Sequence, residues 1–215
     1  MTPFYQHGDI TIYCGDARDI VPHLSATTVL TDPPYGMNYR PQRGADGSKR
    51  WGAETVTGDD SDFDPRWLLD GVRFPRLVLW GANHFSHLLP ANPGWIVWDK
   101  TPLGRKEGFI AADVELAWTN CLTRPMKFSM QWGGEQRGGE EHWHPTQKPV
   151  ALMDWILRLL GQGTILDPYM GAGPVLVAAK ALGMKAIGID LEERHCESAA
   201  KRLNQEVFQF TEAAS

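Results

Sequence analysis

The chain has 215 residues, 42% hydrophobic and 22% charged, as expected of one globular domain with a full core, or of one domain carrying an elaborated loop. A net charge of −5 excludes a protein that coats nucleic acid by bulk electrostatics. The three cysteines, Cys14, Cys121 and Cys196, show no paired spacing, which excludes a disulfide framework and a cysteine-based zinc site.

The first residues lack a charged-then-apolar leader, and no apolar run approaches bilayer length. The expectation is therefore a soluble, cytoplasmic protein without membrane contact. Ile10 to Cys14 alternates as a short strand and ends at Gly15-Asp16. Ala17 to Leu24 reads as a short helix, and Thr28 to Thr31 as a second strand ending at Asp32. From about 36 to 60 the chain is polar and glycine-containing, without sustained periodicity, and is expected to be a mobile loop. Arg40, Arg43, Lys49 and Arg50 cluster there, and Lys100, Arg105 and Lys106 form a second basic group. Either group could reach phosphates or be merely solvated. Trp51, beside Arg50, could stack on a base or fold back on the core.

A helix is expected at about Pro65 to Val72, then a buried strand from Leu77 to Gly81 and a short helix from His84 to Leu89. His84 and His87 share a face of that helix and are expected to cap and pack. Trp95 to Trp98 and Val114 to Trp118 read as two more strands, and Gln131 to Trp143 as another mobile segment. The last third is a regular α/β unit. It comprises a helix with Val150, Leu152, Met153, Ile156, Leu157 and Leu160 on one face, then a strand from Thr164 into Asp167. A glycine turn and a helix from Val175 to Leu182 come next. A strand from Lys185 ending in Asp190 and a helix from about Glu192 to Glu206 complete it. Strands alternating with helices imply a mostly parallel, doubly wound α/β sheet with helices on both faces.

Two segments carry chemistry. Asp32-Pro33-Pro34-Tyr35 offers a carboxylate, stiffened backbone and an aromatic ring at the end of a strand. That set can hold a planar amino group while stacking on its ring, although a plain proline turn would look the same. Asp167-Pro168-Tyr169-Met170-Gly171-Ala172-Gly173 lies on a strand-to-helix turn, and Asp190 closes the next strand, where an acid can take ribose hydroxyls. No third glycine at dinucleotide spacing and no phosphate-loop lysine follows, so a nucleoside without a pyrophosphate is the better ligand. His142 and His144, with Glu140 and Glu141, are the weak metal candidates, and no metal is expected.

In this order the motifs resemble the β group, or permuted group, of S-adenosylmethionine-dependent DNA amino-methyltransferases, which act on adenine N6 or cytosine N4. The resemblance covers nearly the whole chain, including Tyr13 to Asp16, Val78 to His84, Trp95 to Lys100, Glu115 to Thr119, His144 to Pro149 and Gly188 to Asp190. It implies a single Rossmann-like methyltransferase domain over 1–215, with a short target-recognition-like segment at about 119–143. It also implies that Asp32, Pro33, Pro34 and Tyr35 form the catalytic site. S-adenosylmethionine would lie against Asp16, Ala17, His144, Thr146, Lys148, Asp167, Pro168, Gly171, Gly173 and Asp190. Within that set Asp16 would take the adenine amine, Asp190 the ribose, and Thr146 and Lys148 the carboxylate end.

The implied partner is DNA with its target base flipped out, while pairing with a second copy stays open. Aspartate at the first catalytic position favours adenine N6, with cytosine N4 as the alternative and a non-catalytic nucleic-acid-binding subunit a distant third. The chain departs from the family at Pro174, where a hydroxyl residue is usual, and its target-recognition segment is short. A restriction-modification or phage setting fits that small size.

Overall fold

The computed structural model describes residues 1–36, 57–69, 74–104, 112–132 and 147–204. Nine strands form one sheet. In chain order they are β1 (Tyr5–His7), β2 (Ile10–Cys14), β3 (Thr28–Thr31), β4 (Arg76–Trp80), β5 (Trp95–Asp99), β6 (Val114–Thr119), β7 (Met126–Ser129), β8 (Ile165–Asp167) and β9 (Ala186–Asp190). The helices are α1 (Ala17–Ile20), α2 (Arg66–Leu69), α3 (Val150–Leu160), α4 (Pro174–Ala181) and α5 (Glu193–Asn204). Single 3₁₀ turns follow α1 at Val21–His23 and occupy Ser86–Leu88.

The sheet order is β1-β2-β9-β8-β3-β4-β6-β5-β7. Strands β2, β9, β8, β3 and β4 are parallel neighbours, and only β1 and β6 run against the rest. The carboxyl ends of the parallel strands therefore share one edge, where open α/β sheets bind ligands. Because β6 is reversed, its first residues reach that same edge, and Glu115 sits opposite Trp98 near the end of β5.

Alternation along the strands sends side chains to two cores. Ile12, Leu30, Val78 and Ile165 face α3, α4 and α5. Val29, Leu77, Leu166 and Ile187 face the α1 and α2 side, with Phe63, Phe74 and Phe85. Helix α3 buries Leu152, Met153, Ile156, Leu157 and Leu160 and has no side-chain cap at Pro149. Each buried aliphatic side chain contributes about 1.5–3 kcal/mol, against about 1 kcal/mol for a missing cap, so packing decides this helix. Pro174 takes the first position of α4, as its fixed φ suits. Before it, Gly173 is left-handed at φ +70°, and a Cβ there would stand 3.0 Å from the Ala199 Cβ, so α4 and α5 close only over glycine.

Several sequence expectations shift. The helix expected at about Pro65 to Val72 is α2, with 70–73 outside the described residues, and the one at His84 to Leu89 is a single 3₁₀ turn. Most of the 36–60 loop, Trp51, the first basic group and most of the 131–143 segment also lie outside the described residues. The two ends of that loop meet, since the Gly36 amide donates to Asp59 Oδ1 at 3.1 Å. Lys100 is not a solvated basic residue but is 7% exposed and paired with Glu115, while Arg105 and Lys106 are outside the described residues. Cys14, Cys121 and Cys196 carry no disulfide. Among the described residues no helix is long and apolar enough to cross a membrane.

Candidate active site

A cavity of about 320 Å³ opens at the carboxyl edge of the sheet. Gly15, Asp16 and Ala17 enter it after β2, Asp32 to Tyr35 after β3, Pro168 and Gly171 after β8, and Asp190 at the end of β9. Its far wall is built from Thr57 to Asp59 and Ser61 to Phe63, where the chain returns beside Gly36. Tyr169 forms an aromatic floor, edge-on to Phe63 at 5.7 Å and to Trp67 at 6.4 Å. A second cavity, of about 60 Å³, lies alongside, between Asp32, Trp80, Lys148 and Asp167.

Asp32 leaves β3 at the junction of the two cavities. Its Oδ2 is held by the Lys148 ammonium, and its Oδ1 is buried without a hydrogen-bond partner among the described residues. Burial pushes the Asp32 carboxyl above its ordinary range, outweighing the pull of Lys148. Burial opposes the charge on Lys148, but Asp32 and Glu115 outweigh it and keep the ammonium protonated well above its usual range. Lys148, expected at the carboxylate end of a cofactor, holds Asp32 Oδ2 here. His144 and Thr146, assigned with it, fall outside the described residues, as do Glu140, Glu141 and His142.

Tyr35 is positioned by a glycine and a histidine. A Cβ on Gly81 would stand 2.4 Å from the Tyr35 ring, and Gly81 is left-handed at φ +68°, so the ring lies where a side chain would otherwise be. His84 stacks on Tyr35 with centroids 4.6 Å apart and planes 14° apart. The sequence suggested that His84 packs, without showing that its partner is Tyr35. His87 is exposed.

Three acids around the two cavities already have structural work. Asp16 caps α1 by accepting from the Arg18 amide at 2.8 Å. Asp190 accepts from the Gly171 and Glu192 amides, both at 2.9 Å, and lies 3.0 Å from His195 Nδ1. Burial disfavours the His195 cation, yet the hydrogen bond and charge of Asp190 raise its pKa overall. Asp167 is 3% exposed and accepts from Thr31 Oγ1 at 2.7 Å and from the Tyr169 amide at 3.2 Å. Burial pushes its pKa up to about 7. Gly173 touches neither cavity and serves as the N-cap of α4. Sequence reasoning missed Glu115 at this edge: it pairs with Lys100 and with Lys148, the latter distant along the chain.

The DNA methylase family model N6_N4_Mtase matches residues 95–201, which include β8, the glycine turn and β9. Among curated proteins, the type II methyltransferase M2.LlaDCHI of Lactococcus lactis subsp. cremoris is 41% identical over 90 residues. That match covers 41% of this chain and 29% of the relative, so the chain spans less than a third of it. YubD of Escherichia coli (strain K12) is 28% identical over 196 residues, 81% of this chain and 80% of its own length. Among solved structures, the M1.HpyAVI–SAM complex superposes with a TM-score of 0.57 at 22% identity, covering 90% of this chain and 99% of that one. The cytosine-N4-specific PvuII DNA methyltransferase gives 0.60 at 13% identity, covering 94% and 89%. The fold is thus the Rossmann-like one those enzymes share, and the segment from β5 into α5 matches the N6/N4 DNA methylase family.

Proposed function

We propose that this chain transfers a methyl group from S-adenosylmethionine to the exocyclic N6 of adenine in DNA, in the cytoplasm. The observation that carries the proposal is Asp32 Oδ1, a buried carboxylate oxygen with no hydrogen-bond partner among the described residues, beside an aromatic ring and a glycine turn. Such an oxygen calls for a donor from a ligand, and an exocyclic amine supplies one.

The residues present fit the cofactor. The cavity volume of about 320 Å³ suits a nucleoside-sized ligand. Asp16 and Asp190 line it where an adenine amine and ribose hydroxyls need acceptors, and Leu191, 57% exposed, offers apolar surface beside them. The M1.HpyAVI structure of the same fold was solved with SAM. When bound, the sulfonium supplies an electrophilic methyl group. An amine conjugated to its ring is a poor nucleophile, and a hydrogen bond donated by it to Asp32 Oδ1 favours the pyramidal nitrogen whose lone pair is free to react. Tyr35 presents a ring face to a flipped base, taking the face opposite His84 or displacing that exposed imidazole.

Aspartate at position 32 supports adenine, because the enzymes this motif resembles carry aspartate more often for adenine and serine more often for cytosine N4. Cytosine N4 is the second reading, favoured by the PvuII enzyme sharing the fold. Mass spectrometry of nucleosides from DNA incubated with the protein and S-adenosylmethionine tests both. N6-methyladenine is expected, N4-methylcytosine would transfer the assignment to the other base, and neither product would refute methyl transfer.

A further inference from the structure

We propose that Lys148 and Glu115 form a positioning pair for Asp32. Lys148 fixes one carboxylate oxygen so that the other faces the substrate amine, and Glu115 draws off part of the ammonium's charge so that Asp32 stays a strong acceptor. The inference rests on the reading of Asp32 as the amine acceptor.

Three elements build the arrangement. Asp32 comes from the end of β3, Glu115 from the start of the reversed strand β6, and Lys148 from the segment entering α3. The Lys148 side chain is 5% exposed, and its Nζ holds Asp32 Oδ2, stands 3.4 Å from Glu115 Oε2 and lies 5.2 Å above the Trp80 ring. Glu115 Oε1 in turn binds Lys100 at 2.7 Å, and Lys100 lies 5.6 Å from the Trp98 ring. Trp80 and Trp98 meet edge to face at 6.4 Å. The result is an alternating row of carboxylate, ammonium, carboxylate and ammonium, with each ammonium against an indole face.

A neutral row of this kind is more than a packing device. With Lys148 as its sole neighbour, Asp32 would give up much of its negative charge and accept poorly. Without Lys148, it would be a buried anion facing the acids Glu115, Asp59 and Asp167 and the Tyr35 hydroxyl, and would take up a proton. The electrostatics agree with the geometry. Glu115 and Asp59 push the Asp32 carboxyl up while Lys148 pulls it down. Burial would raise Glu115, but Lys148 and Lys100 hold it below its ordinary range.

The test is a ¹³C-carboxyl NMR titration of Asp32 in the ligand-free protein, paired with the pH profile of methyl transfer. Both are run on wild type, Lys148→Met, Lys148→Arg and Glu115→Gln. Lys148→Met is expected to move the Asp32 midpoint, and the acid limb of kcat, to higher pH by about one unit or more. Glu115→Gln is expected to move both to lower pH and to lower kcat more than it changes KM for DNA. Lys148→Arg, which keeps the charge, should restore the wild-type midpoint. If Lys148→Met does not fold, the downward shift in Glu115→Gln and the restored midpoint in Lys148→Arg decide. Shifts of the same sign in both charge-removing variants, or no shift in folded Glu115→Gln, overturn the pair. A wild type that methylates no DNA would overturn the methyl-transfer reading instead, and the titration would still judge the pair.

Discussion

The Asp190 carboxylate accepts a hydrogen bond from the Gly171 amide at 2.9 Å, tying the end of β9 to the turn that follows β8. Asp190, the residue proposed to take the ribose hydroxyls, therefore also sets the shape of the glycine turn beside it. Asp190→Ala is expected to weaken S-adenosylmethionine binding on the order of tenfold to a hundredfold, with the helical circular dichroism signal retained. Isothermal calorimetry measures the affinity, and an unchanged value would remove Asp190 from the site.

Asp32→Ala removes the proposed acceptor and is expected to cost on the order of 10²–10³-fold or more in methyl transfer, while cofactor affinity stays within a few-fold. Lys148 would keep Glu115 as a partner, so the stability loss should stay below the roughly 3–5 kcal/mol typical of breaking a buried pair. A radiolabelled-methyl assay on DNA, run beside a thermal melt, checks both. Activity near wild type would end the role assigned to Asp32.

Gly81→Ala introduces a Cβ where the Tyr35 ring lies and places alanine at a left-handed backbone position. The backbone alone costs about 1–2 kcal/mol, and the ring must move. The expected result is a raised KM for DNA with cofactor binding nearly unchanged. A variant that binds and methylates DNA as wild type does would show that Tyr35 placement is not limiting.

Asp167 gives a dependence on pH whose sign is opposite to that of a salt-bridged carboxylate. Its folded pKa of about 7 lies above the unfolded value near 3.9. As pH rises from about 4 to 7 the unfolded chain ionises while the folded one keeps its proton, so stability falls across that window and stays reduced above it. The difference amounts to about 4 kcal/mol at pH 8. Asp167→Asn is therefore expected to raise the melting temperature at pH 8 and to leave it little changed near pH 4. A cationic ligand binding beside Asp167 would favour its ionisation and release protons near pH 7. Calorimetry in buffers of different ionisation enthalpy measures that release.

The strands that line the site were legible because they are buried on both faces and so read as apolar runs. Thr28–Thr31 matches its expected limits, and β4, β8 and β9 fall within a residue of theirs. Strands β1 and β7 were not anticipated. Both lie at sheet edges with partly exposed side chains, where alternation between core and solvent is weak. The site divided along similar lines. Motif residues carried by consecutive turns, such as Asp32 to Tyr35 and Asp167 to Gly171, were found by local pattern. Lys148 was located in sequence but its contact with Asp32 was not, because the 116 residues between them are bridged only by the fold. Glu115 looked like an ordinary strand residue, since nothing in its neighbourhood announces that β6 is reversed and brings its beginning to the edge that carries Asp32.

Strands β2 and β3 are successive along the parallel part of the chain, yet β9 and β8 lie between them in the sheet. The middle of the sheet is thus supplied by strands that are synthesised after both flanks. Synthesis delivers both flanks before the pieces that join them, so the early chain can form local hairpins and helices but cannot close its core. Folding should be governed by these late, distant pairings and be slow for a protein of this size. Removing the carboxyl-terminal third would take out the centre of the sheet rather than trim an edge, and with it the ammonium that partners Asp32.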